Sequence, residues 1–240
     1  MINSAILLSL SEWLGVIAVV SLASIGYRTM RRPLRFEYPQ REGIVAGMLY
    51  LSILAVSFIY YNKFSIPGGV LPPLNQKIVL AGICALPFIL ALLIRRQPWL
   101  SAGLGKSNFG LSIRLGLILV LLVIILRGKV NSLLHGVSLE QGEALLFWLG
   151  ICLLEESIFR GFIQSRMCSW LGDIPGWLAA SALYAVWGIP RLLLNPATFG
   201  LNLALLLVQG LVLGWIFLKS GHVVAPVIYR AVSEWISLLI

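Results

Sequence analysis

The chain has 240 residues, 59% of them hydrophobic and only 11% charged, with a net charge of +9. Soluble domains carry about 25% charged residues, so a mean hydropathy of +0.95 excludes an ordinary globular protein and leaves a polytopic membrane protein. The basic residues lie in short segments between apolar runs, the distribution of membrane-protein loops rather than of a nucleic-acid surface.

A bilayer crossing needs about 20 mostly apolar residues. On that rule eight helices are expected, at 5–26, 44–62, 77–94, 111–127, 144–165, 176–190, 199–218 and 222–240. The first lacks a small-residue cleavage site after it and reads as a retained helix, not a signal peptide. The segment SIPGGVLPPLN, 65–75, is a loop without chemistry. The sixth helix is short and should stop at Pro190, and the eighth tolerates Pro226 in its first turn. Gly210 and Gly214 form a GxxxG pattern on the seventh, the signature of close helix packing. No long polar stretch separates a soluble domain, so one membrane domain fills the chain, with helices of 1–140 preceding a core of 141–240.

Orientation follows from lysine and arginine placement. One side carries Arg28, Arg31, Arg32, Arg35, Arg41, Arg95, Arg96, Lys106, Arg166 and Lys219. The other carries Lys63, Lys77, Arg127, Lys129 and Arg191. The excess puts the 1–2 loop in the cytoplasm and both termini outside.

The remaining charges define the candidate site. Ionised side chains near lipid cost roughly 2.5–3.5 kcal/mol on insertion scales, so they are rare and usually face a protein interior. Glu12 and Arg114 are isolated and can snorkel or pair locally. Glu155, Glu156 and Arg160 fall together near the cytoplasmic end of the fifth helix, and Arg230 and Glu234 share the eighth. Glu156 and Arg160 are i,i+4 neighbours, as are Arg230 and Glu234, while Glu155 points about 100° away and stays free for another partner. If the two helices touch, the groups meet. Such a cluster is a catalytic or ion-coupled site, or a buried charge network that fixes helix register.

Several chemistries are excluded. There is no HExxH and no GxSG with a partner histidine. The single aspartate, Asp173, rules out a paired-aspartate protease. His135 reads as a solvated loop residue and His222 as a structural one. Three metal ligands could be assembled only from carboxylates, so no metal or other cofactor is expected. Cys84, Cys152 and Cys168 read as buried, reduced thiols.

EESIFRGFIQ resembles the EExxxR signature of the CPBP intramembrane proteases, the group of the type II CAAX prenyl endopeptidases and of bacterial proteins linked to bacteriocin immunity and lysostaphin resistance. Over about 145–240, SALYAVWGI resembles the family's second motif, an aromatic, three residues and a histidine. GWIFLKSGHVVAPVIYRAVSEW resembles its last, in which a turn and a proline lead to histidine, three residues and asparagine. The resemblance implies an all-α fold of about eight transmembrane helices enclosing a cytoplasm-facing cavity. It also implies that Glu155 is the base that activates water, with Glu156 and Arg160 as its partners.

The sequence departs from the pattern where Gly188 and Arg230 replace the two histidines and Glu234 replaces the asparagine. Glycine offers no hydrogen-bond donor, and arginine donates but cannot return a proton. Losing one oxyanion donor costs about 10²–10³ in rate. The expectation is therefore a catalytically impaired homologue acting as a scaffold for a membrane peptide or protein in a bacterial plasma membrane. The alternatives are an active glutamate-dependent peptidase with an altered site and a small proton-coupled transporter.

Overall fold

The computed structural model describes residues 4–26, 36–64, 73–106, 108–194 and 196–239, and every regular element among them is helical. In chain order these are α1 (Ser4–Gly26), α2 (Pro39–Phe64), α3 (Pro73–Ile94), a 3₁₀ turn (Trp99–Ala102), α4 (Phe109–Leu126) and the short α5 (Val130–Leu134). There follow α6 (Leu139–Glu156), a π-helical segment (Ser157–Gln164), α7 (Ser165–Leu171), α8 (Asp173–Trp187), α9 (Ile189–Leu192), α10 (Phe199–Ser220) and α11 (Val224–Ile236). Stretches of α2, α3 and α4, and Pro196–Ser220 around α10, are long and apolar enough to cross a membrane. The chain is thus a multi-pass helical membrane protein. The Pro/Gly-rich stretch 65–72 and Arg28, Arg31, Arg32 and Arg35 lie outside the described residues.

The fifth helix departs most from expectation. Ser138 opens α6 with a capping box, its hydroxyl accepting from the Gln141 N–H at 3.2 Å while Gln141 Oε1 accepts from the Ser138 N–H at 2.9 Å. From there α6, the π segment and α7 run on without a break to Gly172, whose φ of +97° ends the helix. The adjacent carboxylates therefore sit in the middle of a long helix, not near its end. The wider π turn begins directly after them, and Ser165 Oγ donates to the Arg160 carbonyl five residues back at 3.3 Å. Such segments are rare and frequent at functional sites. Gly161 is required there: a Cβ would lie 1.9 Å from the Ala102 carbonyl oxygen of the crossing 3₁₀ turn.

Two charge networks pin the ends of the bundle. At one end Glu42 receives both Nη atoms of Arg95, at 2.8 and 2.5 Å, and Arg166 Nε at 3.0 Å. Arg166, expected in a loop, is wholly buried in α7, where it also donates to the Ser101 and Phe162 carbonyls and lies 3.4 Å from the centre of the Phe162 ring. At the other end Glu12, expected to be isolated, accepts from Arg127 Nε at 2.7 Å and from Tyr229 and Ser233 hydroxyls at 2.9 Å each. Both partnerships join residues far apart in sequence, which spacing along one helix does not show. Arg114 stays exposed five residues into α4, a position from which its long side chain can snorkel.

Packing between α8 and α10 uses small residues, as membrane helices must where lipid supplies no hydrophobic drive for association. A Cβ at Gly210 would lie 3.1 Å from the Ser181 carbonyl oxygen, and one at Gly214 would lie 2.6 Å from the Trp177 ring. This close approach lets Trp177 Nε1 donate to the Leu211 carbonyl at 3.0 Å and Gln164 Nε2 to the Gly214 carbonyl at 2.9 Å. Pro190 does not end α8, which stops at Trp187; it instead opens α9, where its missing N–H costs nothing.

Candidate functional site

Helices α6 and α11 pack together and bring Glu155, Glu156, Arg160 and Arg230 into one buried cluster. Glu156 accepts from Arg160 Nε at 3.2 Å through the i,i+4 spacing of the sequence. Its other oxygen accepts from Arg230 Nη1 at 2.8 Å. Arg230 Nη2 lies 2.5 Å from Glu155 Oε2, so one guanidinium spans both carboxylates. Two carboxylates thus face two guanidiniums, and the buried charge balances. That balance matters because an unpaired ion in the interior carries a penalty of several kcal/mol.

Tyr184 provides the floor of the cluster. Its ring centre lies 4.8 Å from the Arg160 guanidinium carbon and 5.6 Å from that of Arg230, and its hydroxyl donates to Gln209 Oε1 at 3.4 Å. The ring face offers both cations a favourable electrostatic partner away from water. Tyr184 was legible in the sequence only as the aromatic that begins the second motif; its role beneath two arginines needs the α8 packing.

Glu234 does not join the cluster. It makes no ion pair with Arg230 among the described residues, although the i,i+4 spacing allowed one. Arg230 turns instead toward two carboxylates across the helix interface, where burial makes its charge more valuable. Glu234 lines the mouth of an adjoining cleft of about 50 Å³, together with Lys77, Arg191, Tyr61 and Gln209. Glu155, Tyr184, Gly188 and Arg230 form its inner wall. A site for one water needs about 10–15 Å³, so the cleft holds a few waters and not a peptide segment. Lys77 is drawn over the Trp148 ring at 4.3 Å.

Gly188 ends α8 beside this cleft. A Cβ there would lie 2.3 Å from Leu206 Cδ1, so the space that a larger side chain would enter is filled from α10. A second chamber of about 430 Å³ lies between α1 and α10, lined by Trp13, Leu192, Asn202 and Leu205, and it shares Arg191, Leu206 and Gln209 with the first. Leu206 and Gln209 form the partition.

The histidines stand apart from the cluster. His222, in the turn before α11, donates from Nε2 to the Gly105 carbonyl at 2.9 Å and accepts at Nδ1 from the Val224 N–H at 3.1 Å. Burial holds its imidazole below the usual value, opposed in part by the Gly105 hydrogen bond. His135 is exposed and its Nδ1 donates to the Asn131 carbonyl one turn back at 2.7 Å. Among the described residues no three His, Cys, Asp or Glu side chains converge as metal ligands. All three cysteines are buried and free.

Fold and site together define a multi-pass helical membrane protein with a buried carboxylate–guanidinium centre beside a small cleft. Residues 140–236 match the family described as type II CAAX prenyl endopeptidase Rce1-like. That segment, which holds every residue of the cluster, is a domain of this intramembrane endopeptidase family. No curated protein and no solved structure matches the chain.

Proposed function

We propose that this protein is a membrane-embedded homologue of the CPBP endopeptidases that binds a membrane peptide or protein without efficient hydrolysis. The observation that carries this reading is Arg230, whose Nη1 donates to Glu156 Oε1 at 2.8 Å and whose Nη2 lies 2.5 Å from Glu155 Oε2. Here Arg230 takes the place of a group that could accept and return a proton, and arginine can do neither. Leu206, filling the space beside Gly188, is consistent with a slot that no longer holds a catalytic side chain. In this reading all eight apolar runs cross the plasma membrane of a bacterial cell, the helices of 1–140 support a core of 141–240, and Glu155, Glu156 and Arg160 are the retained remnant of the catalytic set.

The deciding experiment rebuilds the missing groups. The purified protein in lipid nanodiscs is tested for cleavage against a library of membrane-spanning peptides. Beside it stands a variant carrying Gly188→His, Leu206→Ala, Arg230→His and Glu234→Asn, in which Leu206→Ala makes room for the new imidazole. Cleavage by the variant alone is expected. Cleavage by the native chain that Glu155→Gln abolishes, without loss of folding, would overturn the proposal.

A further inference from the structure

The chamber of about 430 Å³ between α1 and α10 is not used by the carboxylate–guanidinium centre. Its walls are mostly apolar, with Trp13 from α1 and Leu205 and Leu206 from α10, and its polar groups are Arg191, Asn202 and Gln209. Ligand sites have this make-up, a mostly apolar cavity of roughly 300–1,000 Å³ in which a few polar groups fix orientation. Both amides keep hydrogen-bonding capacity. Asn202 Nδ2 donates to Thr198 Oγ1 at 2.8 Å, which leaves its carbonyl oxygen, and Gln209 Oε1 accepts from Tyr184, which leaves Nε2 as a donor. Arg191 is the charged group of the chamber. It is exposed on α9, and among the described residues its guanidinium forms no hydrogen bond or ion pair, even with Glu155 or Glu234 of the neighbouring cleft. Among the described residues no carboxylate lines the chamber itself.

Charge and surroundings together narrow the occupant. An unpaired guanidinium at one side of an apolar chamber complements an anion carried on an apolar tail, and basic pockets between membrane helices take anionic lipid headgroups in this way. The surface around the chamber is apolar too: Leu193 and Leu194, next to Arg191 in sequence, are 54% and 52% exposed, and Leu201 of α10 is 48% exposed. Such a surface in a multi-pass protein faces lipid, so the occupant arrives from the bilayer. We infer that the chamber holds an anionic phospholipid, its phosphate paired with Arg191 and hydrogen-bonded by Gln209 Nε2, with part of one acyl chain against Trp13, Leu205 and Leu206. The planar fork of arginine donors suits a phosphate group. Gln209 joins this site to the centre, because its Oε1 holds the hydroxyl of Tyr184, whose ring lies beneath Arg160 and Arg230. The lipid thus braces the Leu206–Gln209 partition from the side away from Glu155. This inference stands apart from the peptide-binding reading, since it uses neither the cleft nor the carboxylates.

The test is native mass spectrometry of the full chain, released from detergent micelles that contain equal amounts of phosphatidylglycerol and phosphatidylcholine with the same acyl chains. One retained phosphatidylglycerol is expected, favoured over phosphatidylcholine about fivefold, the size of effect one arginine has beside an anionic headgroup. Arg191→Gln should abolish the preference, and Leu205→Trp, which fills the chamber, should abolish retention. Arg114→Gln, at an exposed arginine of α4 that does not line the chamber, should change neither. Equal retention of the two lipids by the native chain, a preference that survives Arg191→Gln, or its equal loss in Arg114→Gln overturns the inference. A photoreactive benzoylphenylalanine in place of Leu205 reads occupancy in intact cells without relying on the Leu205→Trp fold. A phospholipid adduct is expected there, and a peptide or protein adduct in its place overturns the inference.

Discussion

Arg230 Nη1 lies 2.8 Å from Glu156 Oε1, joining residues 74 positions apart and fastening α11 to the last residue of α6, where the π segment begins. Glu156 is wholly buried and is also held by Arg160, so the contact closes a chain of charge from Arg160 through Glu156 and Arg230 to Glu155. One guanidinium thus ties α11 to both adjacent carboxylates of the EESIFR segment.

Replacing Arg230 by methionine should therefore cost far more than an ordinary surface charge. It leaves one buried guanidinium against two carboxylates, and breaking a buried pair costs about 3–5 kcal/mol. The double variant Arg230→Met with Glu155→Gln restores a one-to-one pair between Glu156 and Arg160 and should recover most of that loss. Thermal unfolding in detergent measures both, and a double variant no more stable than Arg230→Met would assign the effect to packing rather than charge.

Gly161→Ala tests the seating of the π segment. Its methyl would meet the Ala102 carbonyl oxygen, part of the backbone rather than a side chain that can swing away. Overpacking of this kind costs about 1–3 kcal/mol or more. Gly150→Ala is the matched control, since nothing lies within 4 Å of a Cβ there and helix propensity alone should stabilise by about 0.5–1 kcal/mol. Opposite shifts in unfolding temperature for the two variants are expected.

His222 gives the protein a pH dependence independent of the site. Its folded imidazole holds a proton less tightly than the ordinary 6.5, chiefly through burial. Just below that pH the unfolded chain binds more protons than the folded one, so stability falls as pH drops from 7 and levels off once folded His222 is itself protonated. His222→Gln should flatten this part of the pH profile of thermal unfolding, leaving the slope at lower pH to the carboxylates.

Much of the fold was legible along the chain because the bilayer imposes its own period. Each of the eight apolar runs is helical over most of its length, four of them long and apolar enough to cross a membrane, and the GxxxG of Gly210 and Gly214 lies at the tight α8 contact, since a small residue permits one kind of close approach. The ends were less legible. A run of hydropathy does not distinguish α6 from the π segment and α7, so the fifth helix was read too short and its carboxylates too near one face. Arg166 was read as a loop cation because nothing local reveals Glu42, 124 positions away, as its partner.

By itself, then, the sequence determined the membrane class, the helical runs and the i,i+4 pairing of Glu156 with Arg160, because composition, apolar length and i,i+4 spacing act locally. Only the tertiary structure decided that Arg230 prefers Glu155 and Glu156 to its own neighbour Glu234, and that Leu206 fills the place beside Gly188. Each of these is set by which surfaces of distant helices meet. A buried ion chooses its partner by distance and desolvation across that interface, and no spacing within one helix carries that information.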